Sequence, residues 1–567
     1  MSVFFSAFLK YGGDRLKIWK RTLALVVTLL LLLSVYGCQE KQERPDNADK
    51  TIKFHLEEEP KTLDPQIASD YASVVIIEAI YEGLARLDEN GDPYPGAAER
   101  WESNTDFTQF TFYLRKDACW SNKDENDNWI PVTAHDFVYA FQRALDPATG
   151  SQTCEALYCI QNARQVHSGE LSPDALGVKA LDDYTLVVDL AYSYEEFPKL
   201  TASTPFMPCN ESFFSSTAGK YGLETSTVLG NGPFKIRNRY AWEHGKELTL
   251  ARSSAYIGEK DVLPSTIEFS IGTSEVDVSD PIAALADGTV DAIAIPTSAL
   301  QAAETNGFSI TSFEDTSWGL LFNVAPSYGD TGNVVSSQEV RRAFIQTLSR
   351  DALLEHIPAN SSVADDIIPP LTSFCGESYR ELAGSGFFAK QDDTAAAALE
   401  PALSSLGMSM SAVSVLCPDD PEIKLMVNEM LTTWYQKLGY YFNMEPVDED
   451  TLLSQVQNGE YQIALYPIRP DADGPEEILS IFCSDSTENP CGLADPQYDA
   501  LLDAAQTAGG LSGLESLRAA EQYLNDHFIF YPIYYQSRYY ACGKGVSGII
   551  FRPYNSGVDF ISAGKEE

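Results

Sequence analysis

From Thr51 to Glu567 the chain runs for about 517 residues without an internal repeat or a long low-complexity tract, too many for one hydrophobic core and enough for two or three domains. What such a chain becomes is then set by how its apolar periods alternate. Ile52, Phe54 and Leu56 alternate as in a strand, and beyond Pro60 and Leu63-Asp64-Pro65 a helical pattern runs from Tyr71 to Ala85. Arg86 to Asp92 carries an Asn90-Gly91 hairpin turn, and Phe110, Phe112 and Leu114 alternate in a strand further on. Thr133 caps a helix with Phe137, Val138, Phe141, Ala144 and Leu145 on one face, stopped by Asp146-Pro147.

A further strand spans 184–190, and Gly230-Asn231-Gly232-Pro233-Phe234 makes a sharp break that predicts a crossing between domains. Pro281 to Asp287, Gly288 and Ala292 to Ile295 predict helix, cap and buried strand. Ser336-x-x-Glu339 resembles a capping box, opening a long helix with Val340, Phe344, Leu348 and Leu353 inward. Ala395 to Ala398 is a short helical run. Strand and helix patterns then alternate through 413–416, 423–438, 440–444, 452–456 and 461–466. The expectation is an α/β protein of two lobes, with function where the lobes meet.

The N-terminus sets the compartment. Lys10, Arg15, Lys17, Lys20 and Arg21 precede an apolar run from Leu23 to Leu33, the order of a signal sequence, and the run is well short of the roughly 18 residues of a spanning helix. Val35-Tyr36-Gly37-Cys38 resembles a bacterial lipobox, with Tyr36 bulkier than that pattern usually has. The resemblance makes Cys38 the acylated N-terminus, anchored on the extracytoplasmic face of the cell membrane. Residues 39–50, polar and containing Pro45, predict a flexible tether. The net charge of −43 excludes nucleic acid as a partner and fits a soluble surface.

Chemistry is sparse. There is no Gly-x-Ser-x-Gly elbow, phosphate loop or His-Glu-x-x-His, and the histidines at 55, 135, 167, 244, 356 and 527 are scattered. With 82 acidic residues no glycosidase pair stands out, so a secreted hydrolase is disfavoured. Asp88, Asn90, Asp92 and Glu99 match positions 1, 3, 5 and 12 of a calcium loop, but Pro93 stands where the turn needs glycine. The run Asp124 to Asn128 is a weaker match and predicts a solvated loop tip. No Cys-x-x-Cys occurs, so zinc is not expected, nor any other cofactor. Beyond Cys38 the cysteines are 119, 154, 159, 209, 375, 417, 483, 491 and 542. The short separations make Cys154 with Cys159, and Cys483 with Cys491, the candidate disulfides in an exported protein.

A series of segments in fixed order is more specific. Glu59 to Pro65, Tyr81-Glu82-Gly83-Leu84-Ala85-Arg86-Leu87, Pro95 to Trp101, Phe112 to Arg115, Trp120-Ser121, Pro131 to Phe141, Arg143 to Pro147, Gly230 to Phe234, Arg341 to Phe344 and Pro496 to Leu502 resemble the oligopeptide-binding family of bacterial extracellular solute-binding proteins, family 5. The resemblance implies a type II periplasmic-binding-protein fold, two lobes about a hinged cleft, with the extra inserted domain of the large cluster C type. It divides the chain into signal peptide 1–37, tether 38–50, domain I at 51–91, 228–311 and 545–567, domain II at 92–227, and domain III at 312–544. The insertion Lys123 to Ile130 departs from the family and is expected to lengthen a surface hairpin.

Function follows from the same resemblance: a monomeric receptor of an ABC importer, whose cleft closes over a peptide and delivers it to membrane permease subunits. Main-chain pairing would give sequence tolerance. Counting from Tyr461-Gln462-Ile463-Ala464 places Asp471 at the family's anchor for the α-amino group, a charge-assisted bond. Where relatives carry basic residues for the carboxyl end, this chain has Val456 and Leu465, and the aromatic before the aspartate is Ile468. Arg469 stands as a replacement positive charge, Trp318 as a cleft aromatic, and Ala68, Ser69, Asp70 and Tyr71 border the ligand from domain I. The alternatives are a receptor of the same fold for a nickel complex, an oligosaccharide or a signalling peptide, and a surface adhesin or sensor without a transporter.

Overall fold

The computed structural model describes residues 49–272, 278–329, 331–375, 377–392, 394–410, 413–470, 473–554 and 557–566. Among these the largest sheet has 12 strands. Thr51–Leu56 pairs in parallel with Thr266–Ile271 and touches Ala292–Ile295 on its other side. Two long strands, Ser309–Phe322 and Phe530–Cys542, then lie antiparallel along almost their whole length. Beyond them come Ile463–Ile468, antiparallel to the first, and Ser414–Pro418 and Asn443–Val447, both parallel. The long pair is therefore a ribbon joining two halves of one sheet, and its register slips at Asp315.

Two large cores flank the ribbon. One runs from Ile52 to Ile271 and takes in Tyr540 to Ala563 near the C-terminus. It also packs a separate four-stranded antiparallel sheet, in the order Ala98–Ser103, Gln109–Leu114, Thr185–Asp189, Val178–Asp182, against the helix Ala134–Ala144. The other core lies within Trp318 to Tyr534. The fold is thus the two-lobed α/β type.

The shared segments have structural reasons. Asp64 takes a bidentate pair from the buried Arg143 of the helix, whose Nη1 also donates to Gln66 Oε1 at 2.8 Å. A Cβ on Gly230 would stand 1.9 Å from the carbonyl oxygen of Ile80, so only glycine fits there. Asn231 beside it bonds the main chain of Glu82 twice, at 3.0 and 2.9 Å. Arg341 gives its buried guanidinium to four carbonyls, of Val335, Ser336, His527 and Phe528. Burial pushes it down to about 10.

Several expectations need correction. The helix from Tyr71 ends at Ile80, where Gly230 and Gly232 crowd its last turn, and Ala85–Leu87 is a strand. The helix at 336 is capped by Ser337, not Ser336, and stops at Gln346; a second short helix, Arg350–Leu354, follows. Neither cysteine pair is bridged. Cys154 and Cys159 are the two ends of one 3₁₀ helix, which separates their Cα atoms by about 10 Å, beyond disulfide reach. Cys483 and Cys491 are likewise free thiols. In the loop that resembles a calcium site, Asp88 Oδ1 accepts from the amides of Asn90 and Asp92 at 2.8 and 3.0 Å. Asp124 does the same for Asn126 and Asn128 within the hairpin Cys119–Lys123 and Trp129–Pro131. Both carboxylates hold turns together.

Candidate functional site

Three strands of the second core, Ser414–Pro418, Asn443–Val447 and Ile463–Ile468, run parallel and end on one edge of the sheet. In open α/β sheets ligands bind outside such carboxyl ends. Helices capped by Asp420 and Asp448 follow the first two strands, whereas the third passes straight into Arg469 and Pro470. Asp471 lies outside the described residues, as does Cys38.

At this edge Arg469 donates from Nε to Thr316 Oγ1 at 3.1 Å. Thr316 follows the register slip at Asp315, whose side chain is fully buried. Asp315 is completely engaged: Thr316 Oγ1 and Tyr554 N donate to it at 3.1 Å, and Arg538 grips it through Nε at 2.8 Å and through Nη2. Arg469 keeps a solvent-exposed face. Burial, and then repulsion from Arg538, nevertheless holds it below the usual guanidinium range.

Tyr71 reaches the same crossing from the other core. Its ring stands 6.5 Å from Tyr540, two residues beyond Arg538 on one strand, and burial raises its hydroxyl well above the usual tyrosine value. Asp70 is committed to capping the helix, accepting from Ser73 N at 3.0 Å and Ser73 Oγ at 2.7 Å. Ser69 bonds Gln152 at 2.7 Å, and the Ala68 side chain is buried. Ile468 is buried opposite Ser317, and Trp318 is buried against Tyr534 with its N–H on Gln536 Oε1 at 2.6 Å. Both present side chains to the core. Val456 and Leu465 are also buried.

Sequence reasoning missed the contacts that tie the two cores together here. Lys199, near the four-stranded sheet, pairs with Asp473 at 2.9 Å, and Asp473 also accepts from the amide and hydroxyl of Ser373. The adjacent Glu476 is pushed up to about 7 by burial, with the Asp473 charge adding to it. Arg164 Nη2 donates to Gln506 Oε1 at 3.0 Å. Charge alone signalled none of these among so many acids. The described residues hold no group of three metal ligands and no helix long and apolar enough to cross a membrane.

Residues 92–490 match the model of the bacterial extracellular solute-binding proteins, family 5, middle region. The chain belongs to this family. It is 27% identical to the oligopeptide-binding protein OppA of Bacillus subtilis, over 93% of this chain and 96% of that one. It is 24% identical to the dipeptide-binding protein DppE of the same organism, over 95% and 97%. The solved substrate-binding domain of an oligopeptide ABC transporter from Bacillus anthracis superposes with a TM-score of 0.74 at 27% identity, covering 92% of this chain and 99% of that one. Family membership accounts for the ordered segments, and this fold for the ribbon between its two cores.

Proposed function

We propose that the protein is the extracytoplasmic receptor of an ABC importer, taking a peptide between its two lobes, closing over it and presenting it to the membrane permease. The observation that carries this reading is the segment after strand Ile463–Ile468: it lies at the carboxyl edge of parallel strands, and Arg469 there meets the crossing that Tyr71 reaches from the other core. Kinship over nearly the full chain with proteins named for oligopeptide and dipeptide binding supports peptides as the ligand. In this reading Asp471 holds the ligand's α-ammonium group, and the ligand's main chain pairs with strand edges. Domain I comprises 51–91, 228–311 and 545–567, domain II 92–227 and domain III 312–544. Cys38 carries the lipid, and the protein acts as a monomer that binds without catalysing.

Calorimetry with peptides of two to ten residues tests the reading, and no heat from any of them overturns it. Asp471→Ala should weaken free-amine peptides markedly while leaving N-acetylated ones little changed. Equal loss for both removes Asp471 from the anchor role. Cys38→Ser should release the protein from the membrane fraction.

A further inference from the structure

The first core holds a small pocket lined by charge. It lies among the helix Tyr71–Ile80, the strand Ala85–Leu87, the side chains of Ala202 and Met207, and Arg552 near the C-terminus. Its free space is about 20 Å³, room for one water-sized body. The side chains of Glu82, Arg86, Arg552 and Asp559 are only 3 to 9% exposed, and that of Glu78 is 14% exposed. Asp559 is fully used: the Ile561 amide donates to Oδ1 at 2.8 Å, and Nη2 of Arg86 and of Arg552 approach Oδ2 at 3.2 and 3.5 Å. Arg552 also gives Nη2 to Leu87 O at 2.8 Å and Nη1 to Glu78 at 3.4 Å. Glu82 accepts the Tyr256 hydroxyl at 2.6 Å and lies 3.9 Å from Arg86 Nη1. The Nε atoms of both arginines are buried and, among the described residues, donate to nothing.

Two unmet donors on cations that share one carboxylate oxygen call for an acceptor. A water would meet the hydrogen bonds but leave the charge as it is, and the charge here changes with pH. Facing Glu78 are Arg552 and Asp559 from the C-terminal segment and Arg86 from the strand. Glu82 meets Arg86 and Tyr256 and feels Arg115, Tyr94 lies beside Arg86, and the turn Thr204–Phe206 against the same helix has no titratable side chain. Fully ionised, three carboxylates oppose two guanidiniums. Burial pushes Glu78 up to about 7 and raises Glu82 as well, so acidification takes the group from net negative through neutral to net positive. Walls of Leu87, Ala202 and Met207 limit the screening of that change. We propose that this pocket binds a halide-sized monovalent anion such as chloride, held by the Nε–H groups of Arg86 and Arg552 and admitted together with a proton on Glu78. Glu78 stands seven residues along the helix from Tyr71, about 10 Å, and the site needs no peptide. Because the chain carries a charge of −43, weak binding of anions elsewhere on its surface is disfavoured.

The test is thermal unfolding of the ligand-free protein in sodium chloride, sodium bromide or sodium gluconate at equal ionic strength, gluconate being too large for the pocket. At pH 5.5 the halides should raise the melting temperature by about 2 °C over gluconate, and at pH 8 the difference should vanish. In Glu78→Gln, where the side chain is neutral throughout, the halide effect should persist at pH 8, a gain that a merely structural role for Glu78 does not produce. Arg552→Met should abolish it at both values. Crystals grown at pH 5.5 and soaked in bromide should show anomalous scattering beside the two Nε atoms, which keeps the proposal testable if Arg552→Met does not fold. Equal melting temperatures in chloride and gluconate at pH 5.5, a Glu78→Gln response that vanishes at pH 8 as in the wild type, or a water in place of bromide each overturns the proposal. None of these outcomes bears on peptide binding.

Discussion

The ammonium of Lys199 and the carboxylate of Asp473 meet at 2.9 Å across 274 residues of sequence. Lys199 belongs with the core that holds the small sheet, Asp473 with the segment leaving strand Ile463–Ile468, so the pair holds the lobes together beside the candidate site. Its side chains retain 28% and 23% exposure, which limits such a pair to about 1 kcal/mol. Lys199→Met should accordingly weaken ligand binding by up to about fivefold with little change in melting temperature. Lys199→Asp should weaken it more, and adding Asp473→Lys should recover part of the loss in a double-mutant cycle. Additive losses would show that the two residues do not act as a pair.

Buried acids set the response to pH. Burial raises Glu78 to about 7 against the pull of Arg552 and Arg86, and raises Glu521 to about 7 against Arg380. Both values lie above the ordinary 4.5 of an unfolded glutamate, so the folded chain keeps protons that the unfolded chain has released. Their contribution is complete below about pH 4.5 and is lost as pH rises through about 7. Asp559 opposes this only at lower pH, because Arg86 and Arg552 overcome its burial and depress it. Melting temperature should thus fall by a few degrees between pH 5 and 8, and Glu521→Gln should flatten the slope. A rise over that interval would contradict the assignment.

Much of the fold was legible wherever a local signal exists. The strand Thr51–Leu56, the helix Ala134–Ala144 after Thr133, and the helix Pro281–Asp287 with its left-handed Gly288 and strand Ala292–Ile295 all follow from period and cap. Errors arose where a distant residue decides. Nothing near Ile80 announces that Gly230 will abut it, and the helix at Phe344 ends where Thr347 turns its hydroxyl onto Ala343 O at 2.7 Å. At the site, Arg469 was visible as an unusual charge near the expected anchor. Its partnership with Thr316 and the diversion of Asp315 to Arg538 span 153 and 223 residues, distances over which one sequence carries no pairing signal.

Gly230 offers a sharp packing test. Its added methyl would meet backbone rather than a movable side chain, at 1.9 Å from Ile80 O. Either the helix end or the Gly230 to Pro233 segment must move, taking the Asn231 bonds to Glu82 with it. Gly230→Ala should therefore destabilise the first core by several kcal/mol and lower the yield of folded protein. Gly150→Ala, where no atom lies within 4 Å of the new methyl but φ is +68°, should cost only about 1 kcal/mol.

The two cores should also unfold separably. Phe344 and Trp434 are fully buried in the second, with ring centroids 4.8 Å apart and near perpendicular, and the indole N–H bonds Phe344 O at 2.8 Å. Removing the Phe344 ring leaves a cavity with Trp434, Phe322 and Phe442 on its walls, at a cost of about 3–5 kcal/mol. Because the first core is built from other residues, linked mainly through the ribbon, Phe344→Ala should split thermal unfolding into two calorimetric transitions, only the lower one shifted. In the proposed reading the ligand lies between the two cores, so a saturating peptide should raise the shifted transition and bring the two back together. A single transition moved as a whole would show that the ribbon couples the cores into one cooperative unit.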